Sequence, residues 1–175
     1  MKARTTLALA IACVPTKRLR GWLYGLLPGY AIERSSRIGW LSLIDVQSLS
    51  MAAGSSVGRG CRIAGPMHFE LGVDAVLGGR NHVGCGRWYA RYDSPDAPYA
   101  REFILEADAK VGNGHYFDAT GGIRIGEGSW IAGSGSQFWT HGLGAVDRSV
   151  VVGRLIHRLS GAVRSRRSRG FLGCG

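Results

Sequence analysis

Apolar residues recur every six positions through much of this chain. Between residues 111 and 142, an aliphatic or aromatic residue opens most six-residue units, here called hexads, and a small residue usually follows it. A period of six fits neither an amphipathic helix, with period 3.6, nor an alternating strand, with period 2. Hexads instead predict a parallel β-helix, in which each short strand forms one flat side and three hexads complete a turn. The opening residue would point inward, and the small residue would let the chain bend at a corner.

The hexads form two blocks that match at a constant offset, so that Val57-Gly58 corresponds to Val111-Gly112. Each block contains a step of two residues between its third and fourth opening residues. The opening residues are Val57, Ile63, Phe69, Leu71, Leu77 and Val83 in the first block, and Val111, Phe117, Ile123, Ile125, Ile131 and Gln137 in the second. An internal repeat of this kind is typical of a repeat architecture. We therefore predict an all-β fold over residues 38–153.

Residues 86–102 break the period and predict a loop excursion from the β-helix. Pro95 and Pro98 oppose regular strand, and four aromatic residues crowd the segment: Trp88, Tyr89, Tyr92 and Tyr99. Long excursions from a regular fold are often functional. A flexible insertion, a surface for sugar rings and a contact with a neighbouring subunit all stay open.

Residues 1–37 form a basic and apolar segment for which we predict a short helix. Basic residues and leucines alternate over residues 17–30, and Pro28-Gly29 ends the pattern. The helix could cap the open end of the β-helix, or residues 17–27 could rest on an anionic membrane surface, and the two roles can coexist. The apolar run from Thr5 to Val14 is too short to span a bilayer and poorly suited to cleavage as a signal peptide. We expect a cytoplasmic protein, and a peripheral position at the inner face of the membrane stays open.

The positive charge lies at the two ends of the chain. The net charge is +10, of which residues 1–37 carry +6 and residues 154–175 carry +6, so that residues 38–153 carry −2. The predicted β-helix therefore has no field suited to a polyphosphate, and the sequence shows no nucleic-acid-binding motif. We expect no nucleic-acid partner.

The four cysteines are too widely spaced for a disulfide framework or a zinc site. They are Cys13, Cys61, Cys85 and Cys174, without a C-x-x-C pair. This spacing indicates a reducing compartment. Cys61 and Cys85 fall within hexads, where a small apolar thiol would pack in the interior.

The segment HYFDATGGIRIGEGSWIAGSGSQFWTHG, residues 115–142, carries a family resemblance. Through H-Y, G-G-I-x-I-G, I-A-G, S-Q and T-H it resembles the left-handed β-helix (hexapeptide-repeat) acyltransferases. Within these it is most similar to the O-acetyltransferase-like proteins of surface-polysaccharide gene clusters. The resemblance covers residues 38–153 and implies a left-handed parallel β-helix, typically assembled as a homotrimer with active sites between subunits.

The resemblance also implies a reaction. Acetyl-CoA would be the donor and a hydroxyl of a sugar or glycan the acceptor, with no metal. His141 would be the general base, since the pKa of imidazole lies near working pH. His115 is a second catalytic candidate, and the other interpretation, which the sequence favours slightly, is a hydrogen-bonded corner residue. The candidate substrate-binding residues are Trp139, Gln137, Trp88 and Tyr92. No residue is assigned to the binding of CoA. The hydroxyl residues near His141 in sequence are Ser134, Ser136 and Thr140, and none of them is assigned to stabilise the oxyanion.

Residues 154–175 leave the pattern, with six arginines and no acidic residue. In the proteins that the chain resembles, further hexads follow here and carry much of the CoA groove. A solvated basic tail is one interpretation. A frameshift is the other, because codons for residues 156–175 can be chosen so that the neighbouring frame reads I-G, P-G-V and V-G hexads. A truncated β-helix of this kind would be a weak or inactive enzyme.

Two other functions compete with acyl transfer. A noncatalytic scaffold or binding module would need the fold but not His141. A γ-type carbonic anhydrase on the same fold would need about three clustered zinc ligands and two histidines five residues apart. Thr120 stands five residues after His115, and Val146 five after His141, so the sequence disfavours that enzyme.

Overall fold

The computed structural model describes residues 2–86, 99–140 and 150–152, with side chains from Arg4 onward. Two helices, α1 Lys2–Ala12 and α2 Lys17–Gly25, precede a series of short strands. The strands are β1 Tyr30–Ile32, β2 Arg37–Ile38, β3 Leu43–Met51, β4 Ser56–Val57, β5 Arg62–Leu71, β6 Val76–Leu77, β7 His82–Gly84, β8 Glu102–Leu105, β9 Lys110–Val111, β10 Tyr116–Asp118, β11 Ile123–Ile125, β12 Trp130–Ile131, β13 Gln137–Phe138 and β14 Val150–Val152. The described part of the chain is thus mostly β, as the sequence predicts.

All strand pairs in the described residues are parallel, and many of them join positions separated by a nearly constant interval. The interval from Ile123 to Val150 is longer. Val57 pairs with Leu77, and Val111 pairs with Ile131 after an interval of the same length. Leu77 pairs with Val111 over a longer interval, because residues 87–98 intervene. Val57 and Val111, which occupy equivalent positions in the two blocks, are therefore separated by two successive strand pairings. The longer interval lies where the sequence predicts the loop excursion.

The predicted opening residues share one interior. Val57, Leu77 and Val111 lie in one register row and are buried, and Ile131 packs against the same core. A second row contains Ile44, Ile63, Val83 and Phe117. A third and a fourth row run through Leu49, Phe69, Phe103 and Ile123, and through Met51, Leu71, Leu105 and Ile125. The step of two residues in each block arises because two opening residues lie on the same face of one strand. They are Phe69 and Leu71 on β5, and Ile123 and Ile125 on β11.

Gln137 is not an opening residue, so that prediction is wrong. Phe138 pairs with Phe117, and their rings stack with centroids 4.8 Å apart. Gln137 pairs with Tyr116 and is exposed. The step from Ile131 to Phe138 is therefore seven residues, and Gly133 and Gly135 take up the extra residue with positive φ.

The glycines that follow Val57 and Val111 are needed for close approach of neighbouring strands. Gly58 and Gly112 do not have the positive φ that favours glycine, so their role is one of space. A Cβ on Gly58 would overlap the backbone nitrogen of Gly79, and one on Gly112 would lie 2.6 Å from the carbonyl oxygen of Gly133. Only glycine fits this spacing without a shift of the backbone.

The N-terminal segment differs from its prediction in two ways. The sequence predicts one helix over residues 17–30, whereas α2 ends at Gly25 and α1 precedes it. The parallel strands already begin at β1, inside the predicted helical segment, because Tyr30 pairs with Leu49. In the part of the chain that the structure describes, neither helix has the length and hydropathy needed to cross a bilayer.

Polar side chains of the N-terminal segment satisfy the backbone of β2 and β3. The Tyr24 hydroxyl accepts from the Ile44 nitrogen at 3.2 Å, and the Tyr30 hydroxyl accepts from the Val46 nitrogen at 3.0 Å. Arg20 is buried and donates from Nε and Nη2 to the Ile38 carbonyl, at 3.1 and 2.7 Å. These hydrogen bonds pair backbone groups that an exposed strand edge would leave unpaired.

Candidate functional site

One corner of the structure is lined by a column of buried polar or thiol side chains. Ser42, Cys61, Asn81 and His115 each follow an inward residue by four positions and directly precede β3, β5, β7 and β10. We call these four residues the corner column. The Cys61 nitrogen donates to Ser42 Oγ at 3.1 Å, and the His115 nitrogen donates to Asn81 Oδ1 at 2.7 Å. The column thus satisfies backbone groups that the turns would otherwise bury unpaired.

His115 is the last described member of the corner column, with 1 % of its surface exposed. Its Nδ1 accepts a hydrogen bond from the Ser136 nitrogen at 3.2 Å, so the neutral ring carries its proton on Nε2. Nε2 is buried, and no described residue gives it a hydrogen bond of normal geometry. Burial lowers the pKa of His115, and the backbone of Gly133 partly opposes that shift. This is the environment of a corner residue, one of the two interpretations that the sequence leaves open.

A second set of residues, at the starts of four strands, faces outward. Arg62, His82, Tyr116 and Gln137 are the first residues of their strands and share one register row. Each stands directly before a buried or partly buried inward residue, so alternation along the strand turns it to the surface. Three members of this row, His82, Tyr116 and Gln137, form a surface together with Trp139. We call these four residues the outer row.

The outer row is a series of stacked rings. The His82 and Tyr116 rings stack with centroids 4.9 Å apart, and the Tyr116 and Trp139 rings lie 4.8 Å apart. Trp139 is 54 % exposed, and its Nε1 donates to Gln137 Oε1 at 3.2 Å. Burial, and secondarily the charge of Arg62, lowers the pKa of His82, so the ring is neutral at pH 7. The outer row therefore offers flat, uncharged faces beside an amide that can form hydrogen bonds.

A buried hydrogen-bond network anchors the end of the outer row. Thr140 is buried, its Oγ1 donates to the Asp118 carbonyl at 2.6 Å, and the same oxygen accepts from the Gly121 nitrogen at 2.7 Å. Thr120 Oγ1 donates to Asp118 Oδ1 at 2.6 Å. Because its single proton is already donated, Thr140 is not free to donate to an oxyanion. The network instead holds the residue that directly precedes His141.

The predicted site residues are distributed unequally. Gln137 and Trp139 are brought together on the outer row, whereas His115 lies inside. His141, Trp88, Tyr92 and residues 154–175 lie outside the described residues. Sequence reasoning missed His82 and Tyr116 as surface partners. The available signal was their position directly before the inward residues Val83 and Phe117, which pair with each other.

Cys61 and Cys85 are buried free thiols, as predicted, and burial raises the pKa of each. Among the described residues, no three His, Cys, Asp or Glu side chains are grouped as metal ligands.

Comparisons with protein-family models, with curated proteins and with solved structures found no match to this chain.

Proposed function

We propose that the chain is a left-handed parallel β-helix that transfers an acetyl or other acyl group from acyl-CoA to a hydroxyl of a sugar or surface glycan. The fold proposal is supported by parallel pairing at a nearly constant interval, as from Val57 to Leu77, and by inward residues in continuous rows. Three hexads per turn account for that interval, with small additions at the corners.

The outer row carries the functional proposal. Sugar-binding sites combine aromatic faces, which cover the apolar faces of a ring, with a few polar groups that fix its orientation. Tyr116 and Trp139 supply the faces, and Gln137 supplies the amide. Trp139 stands two residues before His141, and the Thr140 anchor fixes the backbone between them. An acceptor held on the outer row would lie beside the segment that begins with His141.

His141 then acts as the general base. Its imidazole removes the proton from the acceptor hydroxyl while the oxygen attacks the acyl carbonyl, and an ester C–O bond forms. The C–S bond of the thioester breaks, and the proton passes from His141 to the departing thiolate. Acyl-CoA supplies only the activated acyl group; the outer row supplies the orientation that makes the attack effectively unimolecular.

The direct test is acetyl transfer by the purified full chain from radiolabelled acetyl-CoA to a panel of sugars and glycans. His141→Ala should lower kcat by roughly 100- to 10,000-fold, the usual contribution of a general base. His68→Ala is the matched control, because His68 is a histidine outside the outer row whose ring contacts Ser48 and Glu70. Equal rates for His141→Ala and the wild type would refute the role of His141.

A noncatalytic glycan-binding module is the second candidate, and the outer row also favours it. All four residues of that row lie in the described strands or directly after one, and binding does not require His141. Glycan binding that persists in His141→Ala, together with no transfer by the wild type, would favour this module over the acyltransferase.

A further inference from the structure

The two N-terminal helices have one face directed into the protein and one directed away from it. Ala8 and Ile11 of α1, with Tyr24 of α2 and Leu27 after it, are buried in the core. Large apolar side chains also lie on the opposite side. Leu19, Trp22 and Leu26 are 45, 61 and 61 % exposed. Their spacing of three and then four residues puts them on one side of α2 and its C-terminal cap.

The charged residues of the two helices and β1 are all basic. Residues 1–32 include five Lys or Arg and no Asp or Glu. Arg4 and Arg20 are engaged inside the protein, Arg4 with Asp45 and Val46 and Arg20 with Ile38. Lys17 and Arg18, in the first turn of α2, are exposed. Arg18 stands four residues before Trp22 and so lies next to it on the helix, and Lys17 stands at the N-terminal end of the helix.

The helix is already held in place before any partner binds. Tyr24 bonds the backbone of Ile44, and Arg20 bonds that of Ile38. Those contacts use the inward side of α2 and leave the outward side without a role in the described core. No folding of α2 is needed for docking, so little of the binding free energy is lost in ordering the helix.

We propose that Leu19, Trp22 and Leu26, with Lys17 and Arg18, form a docking surface for an anionic lipid bilayer. We call these five residues the lipid face. The apolar side chains would enter the boundary between headgroups and acyl chains, where tryptophan is favoured. The two cations would contact acidic headgroups, which attract basic side chains near the surface. The absence of acidic residues from positions 1–32 favours an anionic bilayer over an uncharged partner. This proposal is independent of the acyl-transfer proposal.

The experiment is co-sedimentation of the full chain with vesicles of phosphatidylcholine mixed with phosphatidylglycerol, and with vesicles of phosphatidylcholine alone. Two double variants remove the parts of the lipid face separately: Trp22→Ala with Leu26→Ala, and Lys17→Gln with Arg18→Gln. Trp130→Ala is the matched control, because Trp130 lies on β12 and is 61 % exposed, as is Trp22. Circular dichroism and gel filtration establish that each variant is folded and in which oligomeric state.

The wild type and Trp130→Ala should bind the anionic vesicles equally, and each double variant should bind about tenfold or more weakly. Binding should fall as salt is raised, because screening shortens the reach of the cations. Equal binding to both vesicle types, or equal loss in Trp130→Ala, would overturn the proposal. The proposal would also be overturned if the wild type did not bind vesicles but formed an oligomer that the double variant Trp22→Ala with Leu26→Ala disrupts. The lipid face would then be a contact between copies of this chain.

Discussion

The corner column and the outer row run side by side, one residue apart, and differ in almost every physical respect. His115 and Tyr116 are adjacent in sequence, yet His115 is buried with its ring bonded to the Ser136 backbone, and Tyr116 lies on the surface between two other rings. Asn81 and His82 repeat the contrast one strand earlier. A shift of one residue exchanges a group that stabilises the fold for one that a ligand can reach.

This contrast shows how a stack of short strands separates stability from binding. Side chains of the corner column form hydrogen bonds with backbone groups that water cannot reach. Removing any one of these side chains should therefore lower the free energy of unfolding substantially. Rings of the outer row lie at the surface, so their removal should cost the fold less than removal of a member of the corner column. Substitutions at adjacent positions should therefore give opposite phenotypes.

The largest expected effect on stability follows from His115→Ala. The change leaves a cavity in the core and leaves the partly buried Ser136 N–H without its acceptor. These two losses should lower the free energy of unfolding by about 3 kcal/mol, measured by urea denaturation. Tyr116→Ala, the neighbouring control, should lower it by about 1 kcal/mol through lost ring contacts. Equal losses at the two positions would remove the distinction between the column and the row.

A smaller effect should appear in the pH dependence of stability. Burial lowers the pKa of His115 in the folded state, whereas the unfolded chain has a histidine pKa of about 6.5. The unfolded state therefore binds more protons below about pH 6.5, and stability falls as the pH drops from there toward the folded pKa. The slope from one such histidine is at most about 1.4 kcal/mol per pH unit.

The variant His115→Gln tests this assignment by urea denaturation between about pH 7.5 and pH 5. Its stability should fall less steeply with acid than that of the wild type. The pKa of His82 is also lowered, so a residual slope should persist and should diminish further in His115→Gln with His82→Gln. An unchanged slope in both variants would show that neither ring is held neutral by the fold.

The sequence predicts the interior of this protein better than its surface. Val57, Leu77 and Val111 could be assigned because inward positions demand apolar residues and tolerate little else. Gln137 was misassigned because one additional residue, accommodated at Gly133 and Gly135, shifts the register without changing the composition. Helix α1 was missed because an Ala- and Leu-rich run without strong amphipathic pattern identifies its conformation poorly.

The repeat offset hid the pairing of His82 with Tyr116 in the outer row. The offset that aligns Val57 with Val111 aligns His82 with Ser136, whereas strand pairing brings His82 beside Tyr116. Outward positions also accept almost any side chain, so aromatic residues there carry no periodic signal. Their meaning appears only when neighbouring strands place the rings within stacking distance.

The most direct test of the central claim is the acceptor dependence of acyl transfer by Tyr116→Ala. If the outer row binds the acceptor, the KM for the sugar should rise about tenfold, equivalent to about 1.4 kcal/mol of lost binding. The KM for acetyl-CoA should remain close to that of the wild type, and the free energy of unfolding should fall by no more than the loss of about 1 kcal/mol expected from the ring contacts. An acceptor KM equal to that of the wild type in this folded variant would contradict the assignment of the outer row as the acceptor site.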